Sequence, residues 1–155
     1  MSFGAEPPKD EYMREKPIKK GSGLFIRGAK GRIALSSVTF VLLYMILTVT
    51  PLNSYFATET EAMTARFALL CFMAVFNGFN IRTDRLNLFE GISKNKLFVY
   101  IAFGIFAMTV FLCNIVGSLI QTTSLDINHW IIVIALAFAV IPIDLIRKIF
   151  VKGEN

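Results

Sequence analysis

One histidine and two cysteines are all that this 155-residue chain offers a transition metal. It has no CxxC pair, no HExxH, no glycine-rich phosphate loop, and no nucleophile with a base placed beside it. No catalytic equipment is therefore legible, and no metal or cofactor site is expected in the chain. Cys71 and Cys113 both fall inside apolar runs, which makes them buried free thiols rather than parts of a disulfide framework. A signal peptide is not expected either, because the first apolar run starts at Ile33 after a long polar lead.

Charge is also scarce, and its scarcity is patterned. Charged residues make up 17% of the chain against 55% hydrophobic, and the mean hydropathy is +0.61, too apolar for a soluble domain of this size. The net charge of +5 admits a nucleic-acid partner. However, the basic residues lie in segments between apolar runs, not on a folded face. Anionic lipid headgroups are thus the expected partner, and nucleic acid is not.

Four apolar runs predict four membrane crossings, at about 33–52, 62–81, 97–120 and 129–146. The first holds no ionisable group apart from Tyr44; its serines and threonines are expected to bond back to the preceding turn, and Pro51 marks its exit. The second carries one charge, Arg66, near its start. The third has 24 residues without a charge. The fourth has an uninterrupted core of only 14 residues, from Trp130 to Ile143, extended by Trp130 at one interface and by Arg147 and Lys148 at the other. Pro142 is expected to kink or loosen its inner end and free a backbone carbonyl one turn back.

The sidedness of charge sets the topology. Of 16 Lys and Arg residues, eight precede the first crossing, four lie between the second and third, and three follow the fourth; Arg66 alone falls on the opposite side. The stretch 53–61, with Glu59 and Glu61 and no basic residue, belongs outside. The expected fold is an all-α membrane protein with four transmembrane helices and both termini cytoplasmic: a basic arm over 1–32, the membrane domain over 33–150, and a tail over 151–155.

A few polar residues stand inside these crossings. Asn77 and Asn80, three apart, place two amides on one helix face, where Ala74 and Gly78 permit close approach. Carboxamide oxygens suit hard cations, but interhelical bonding is the preferred reading. Asp144 is the only carboxylate within the last crossing; an intramembrane acid is a candidate proton or cation ligand, yet Arg147 and Lys148 sit where a local ion pair accounts for it. Arg66 either guides anions or snorkels to pair with Glu59, Glu61 or Asp126, the second being preferred. Asn114, with Ser118 one turn on, reads as a helix-packing face, and His129 beside Trp130 reads as an interfacial anchor.

Three stretches, in order and spacing, resemble the carboxyl-terminal membrane region of P-type cation-transporting ATPases, especially the calcium-pump branch. Residues 6–20, EPPKDEYMREKPIKK, are similar to the basic, proline-containing loop after the sixth membrane helix of such pumps. Residues 76–98 are similar to the end of the eighth helix and its loop, with Phe-Asn-x-x-Asn at 76–80 and Phe-Glu-Gly at 89–91. Residues 125–150 are similar to the tenth helix, with Asp126 and Trp130 opening it and Asp144 preceding a basic end. The resemblance implies that the four crossings are helices seven to ten of a longer pump, whose other membrane helices and cytoplasmic domains would be the partners. ATP and Mg²⁺ would be handled elsewhere in that pump, so the chain is expected to hydrolyse nothing by itself. Where two-site calcium pumps have a ligand Glu three residues before the first of the paired asparagines, this sequence has Ala74, and no transport ligand is carried over. The expected role is a passive support module in a cell membrane, as a fragment or split product. The alternatives are a free-standing four-span carrier or lipid-handling protein, and a regulatory subunit of an intact pump.

Overall fold

The computed structural model describes residues 29–82, 95–115, 117 and 121–152, and these are helical or lie in short connections. Most of the arm expected over 1–32 and the basic loop 83–94 lie outside the described residues. Helix α1 is Ala29–Val49, α2 is Glu59–Arg82 and α3 is Lys96–Ile115. The fourth run holds two helices, α4 (Ile127–Phe138) and α5 (Val140–Lys152). Four stretches are long and apolar enough to cross a bilayer: Gly31–Val49, Glu59–Ile81, Lys96–Ile115 and Ile127–Ile149.

The first three helices all start ahead of the apolar limits of the sequence, α2 and α3 at capping residues. α1 begins four residues ahead of Ile33, since a helix satisfies its own backbone and need not stop where the hydrocarbon does. After α1, Thr50 caps a short 3-10 turn, Pro51–Tyr55, and accepts a bond from the Leu52 N–H. α2 opens on a variant of the capping box: the Glu61 N–H bonds Thr58 Oγ1 at 3.2 Å, and the Glu61 carboxylate accepts from the N–H of Ala57, the residue before the cap, at 2.8 Å. α3 is capped by Asn95, whose Oδ1 accepts from the Phe98 N–H at 3.0 Å. Beyond α3 the chain turns on itself: the Thr122 N–H bonds the Gly117 carbonyl at 2.9 Å, Gln121 sits at φ 54°, and a Cβ at Gly117 would lie 2.5 Å from the Thr122 carbonyl oxygen.

The fourth crossing breaks at Ala139. Pro142 has no N–H for the Phe138 carbonyl, and the chain tightens there, with the Ala139 N–H bonded to Leu136 O at 3.2 Å. The helix is interrupted there, about one turn ahead of the proline.

Helix α2 is the hub and packs against α1, α3, α4 and α5. Alanines stand in the core on both α2 and α4: Ala65 and Ala68 of α2 and Ala137 of α4, with Val133 one turn earlier in α4, have no exposed surface. Small side chains let the two backbones approach, which is how helices associate when lipid removes the hydrophobic drive. Leu43 and Leu47 of α1, with Leu69, Phe72 and Met73 of α2, belong to the same core. Toward α3 the contact is aromatic: Phe72 stacks on Phe106 with centroids 4.2 Å apart, and Phe79 meets Phe98 edge-on at 4.8 Å. Gly78, expected to bring a helix close, instead leaves room for the Phe98 ring, which would lie 3.5 Å from an added Cβ.

Candidate functional site

The polar side chains gather at the two ends of the bundle. At one end α2 finishes beside α5. Asn80, 1% exposed, donates from Nδ2 to the carbonyl of Val140, the first residue after the break in the fourth crossing, at 3.0 Å. Lys148 crosses in the other direction, its Nζ donating to the Asn80 carbonyl at 2.9 Å. That carbonyl belongs to the last turn of α2, where carbonyls lack intrahelical partners and the helix dipole favours a cation. Asp144 pairs with two basic residues of its own helix: Arg147 Nε donates to Oδ1 at 2.7 Å, and Lys148 Nζ stands 3.1 Å from Oδ2. The latter contact is an ion pair without hydrogen-bond alignment, which leaves Oδ2 short of a donor. Asn80 Oδ1 is likewise buried without a donor.

At the other end Arg66 is held twice, by Glu59 Oε1 at 2.8 Å through NH1 and by Asn53 Oδ1 at 2.9 Å through NH2. The 3-10 turn containing Asn53 also meets α4, because His129 Nε2 lies 3.0 Å from the Tyr55 carbonyl and its ring packs on Phe56 at 4.8 Å. Thr64 of α2 bonds its own Thr60 carbonyl at 2.7 Å and accepts from the Thr123 N–H at 3.0 Å, so this end too is tied across helices.

The sequence-derived candidates therefore separate. Asn80 and Asp144 meet in one buried cluster through Lys148. Asn77, expected to share a face with Asn80, turns to α1 and accepts from Ser36 Oγ at 3.3 Å. Arg66 takes Glu59 from its three named acids and adds Asn53, which sequence reasoning missed. Asn114 is exposed, and its amide folds back on the Val110 carbonyl of its own helix at 2.8 Å, so it grips no neighbour here. Trp130, read as an interfacial belt residue, is half-buried and packs on Phe72 at 6.0 Å. Both cysteines are free. Among the described residues no three His, Cys, Asp or Glu side chains converge on a metal-sized point. The chemistry on display is hydrogen bonding and charge pairing between helices.

Four crossings tied by buried amides and one internal lysine agree with the comparison to known families. A family described as "Cation transporting ATPase, C-terminus" matches residues 1–150. The chain belongs to that family. As a cation-transporting ATPase C-terminus it is an integral, multi-pass membrane protein. It is 25% identical over 160 residues to the probable calcium-transporting ATPase 8, plasma membrane-type, of Oryza sativa subsp. japonica, with all of this chain and 16% of that protein covered. It is 26% identical over 161 residues to the calcium-transporting ATPase 10, plasma membrane-type, of Arabidopsis thaliana, covering all of this chain and 15% of the relative. The chain thus spans about a sixth of the length of the relatives it matches. The resemblance read from three sequence stretches holds over almost the whole chain.

Proposed function

We propose that this cation-transporting ATPase C-terminus is the support module of a calcium-type pump in a cell membrane, with the Asn80 end and both termini cytoplasmic. Its partners are the ion-carrying helices and cytoplasmic domains of that pump, while ATP and Mg²⁺ act elsewhere and no hydrolysis belongs to this chain. Positive-inside bias supports the orientation, since the charges beyond Asn80 and Asp144 are mostly basic.

One observation carries the reading. Although α2 is the hub, Met63, Phe67, Leu70, Ala74 and Ile81 stay exposed along it, with half-buried Asn77 in the same row. The spacing alternates four and three residues over the full crossing, a seam that suits a second helix lying at a shallow angle. Lipid would cover the apolar members equally well, but not Asn77. Its Oδ1 is bonded to Ser36, and among the described residues no acceptor meets its Nδ2. An amide left open to hydrocarbon is costly, so the row calls for a neighbour that supplies an acceptor.

The bundle offers that neighbour a stiff backing. α2 is tied to the chain of the fourth crossing at one end through Thr64 and at the other through Asn80 and Lys148. Force applied to the seam is resisted at both membrane surfaces. The test is co-purification of the tagged chain with a calcium-transporting ATPase truncated ahead of the matching region. Wild type is expected to retain it, Ala74→Trp to lose it about tenfold, and Phe103→Trp on the outer face of α3 to leave it unchanged. Equal loss from both variants, or no capture by wild type, refutes the docking seam.

A further inference from the structure

Lysines in membrane helices ordinarily reach for the headgroups. Lys148 does the opposite, with a side chain only 3% exposed. A local pair with Asp144 four residues away does not explain this, because the ammonium also crosses to another helix and takes the Asn80 carbonyl at 2.9 Å. Two oxygens of the kinds that solvate a small cation meet the ammonium, that carbonyl and, at 3.1 Å, Asp144 Oδ2; the Oδ1 of Asn80 is buried without a donor. The other carboxylate oxygen is taken by Arg147.

We infer that the Lys148 ammonium is the resident cation of an oxygen-lined site between the second and fourth crossings, and that without it the site takes a small monovalent cation. Arg147 already pairs with one carboxylate oxygen, so Lys148 holds the other together with a neutral carbonyl, a position suited to one positive charge and not to two. Calcium sites draw on several carboxylates, and a divalent ion beside Arg147 would be left without enough negative charge. Potassium and a primary ammonium carry the same charge, and both accept carbonyl oxygens in place of water. With the cation tethered to the chain, Asn80 and Asp144 are closed to any transported ion, and the charge stays put as other helices move. The site is thus an internal counter-ion between two helices.

The test is thermal unfolding of the full chain in phosphatidylcholine nanodiscs at fixed ionic strength. Wild type is expected to melt alike in choline, potassium and propylammonium chlorides. Lys148→Ala is expected to melt roughly 10 °C lower in choline chloride, since it takes the shared ammonium away from Asp144 Oδ2 and the Asn80 carbonyl. Potassium or propylammonium should then restore at least half of that loss. Lys148→Met, which fills the space without charge, and the double variant Lys148→Ala with Asp144→Asn should show no salt-specific recovery. Should Lys148→Ala fail to fold in choline, the yield of folded protein in potassium is the same readout, and recovery there supports the site. Equal loss in all three salts, no folded yield in any, or equal recovery in the double variant overturns it.

Discussion

Asn80 holds the fourth crossing with its side-chain amide and is itself held by Lys148 through its backbone carbonyl, so one residue ties two helices in both directions. Asn80→Leu removes only the first tie and is expected to cost about 1–2 kcal/mol, read by reversible unfolding in bicelles. Asp144→Asn strips the neutralising charge from Arg147 and Lys148 while all three stay largely buried, and is expected to cost about 3 kcal/mol or more. Glu59→Gln is the contrasting case. Glu59 pairs with Arg66 but its own side chain is 68% exposed, so the loss should stay under about 1 kcal/mol. An equal cost for Glu59→Gln and Asp144→Asn would remove the distinction between buried and solvated pairs. The importance of Asn80, Asp144 and Arg66 was legible in the sequence because polar groups in apolar runs need partners. Which partners they take was not, since Val140 lies 60 residues from Asn80 and only the packed helices bring them together. Asn114 misled for a related reason: an asparagine amide can bond the preceding turn of its own helix, and nothing in the sequence distinguishes that from a grip on a neighbour.

At the scale of elements, the crossings followed from hydropathy, and their ends were written in a different code. Thr58 with Glu61, and Asn95 before Phe98, are capping patterns that place the starts of α2 and α3 outside the apolar runs. The break at Ala139 was legible through Pro142, although its place one turn upstream depended on where the missing N–H leaves a carbonyl. Supplying that N–H should reverse the effect. Spin labels at the exposed positions Ile131 and Ile149 would stand about 27 Å apart along a straight helix. Pro142→Ala is expected to lengthen the measured separation toward that value by a few ångströms. An unchanged distance would mean that packing against α2, and not the proline, sets the bend.

For the whole molecule, the arrangement is a hub helix secured on four sides with one row left open, and that row carries the half-satisfied amide Asn77. The sequence showed the paired asparagines but not their division: Asn77 turns to α1 beside the open row, and Asn80 turns to the fourth crossing. Helical spacing fixes the angle between two side chains, not which neighbours fill the space around them. Polarity in this molecule serves contacts between helices, and its one carboxylate within the fourth crossing is already matched by lysine and arginine. The central claim is that such a bundle supports transport without performing it. The most direct measurement is radioactive calcium uptake, with ATP present, into vesicles reconstituted with this polypeptide alone. Uptake no greater than that of protein-free vesicles is expected, and saturable ATP-driven accumulation would contradict the account.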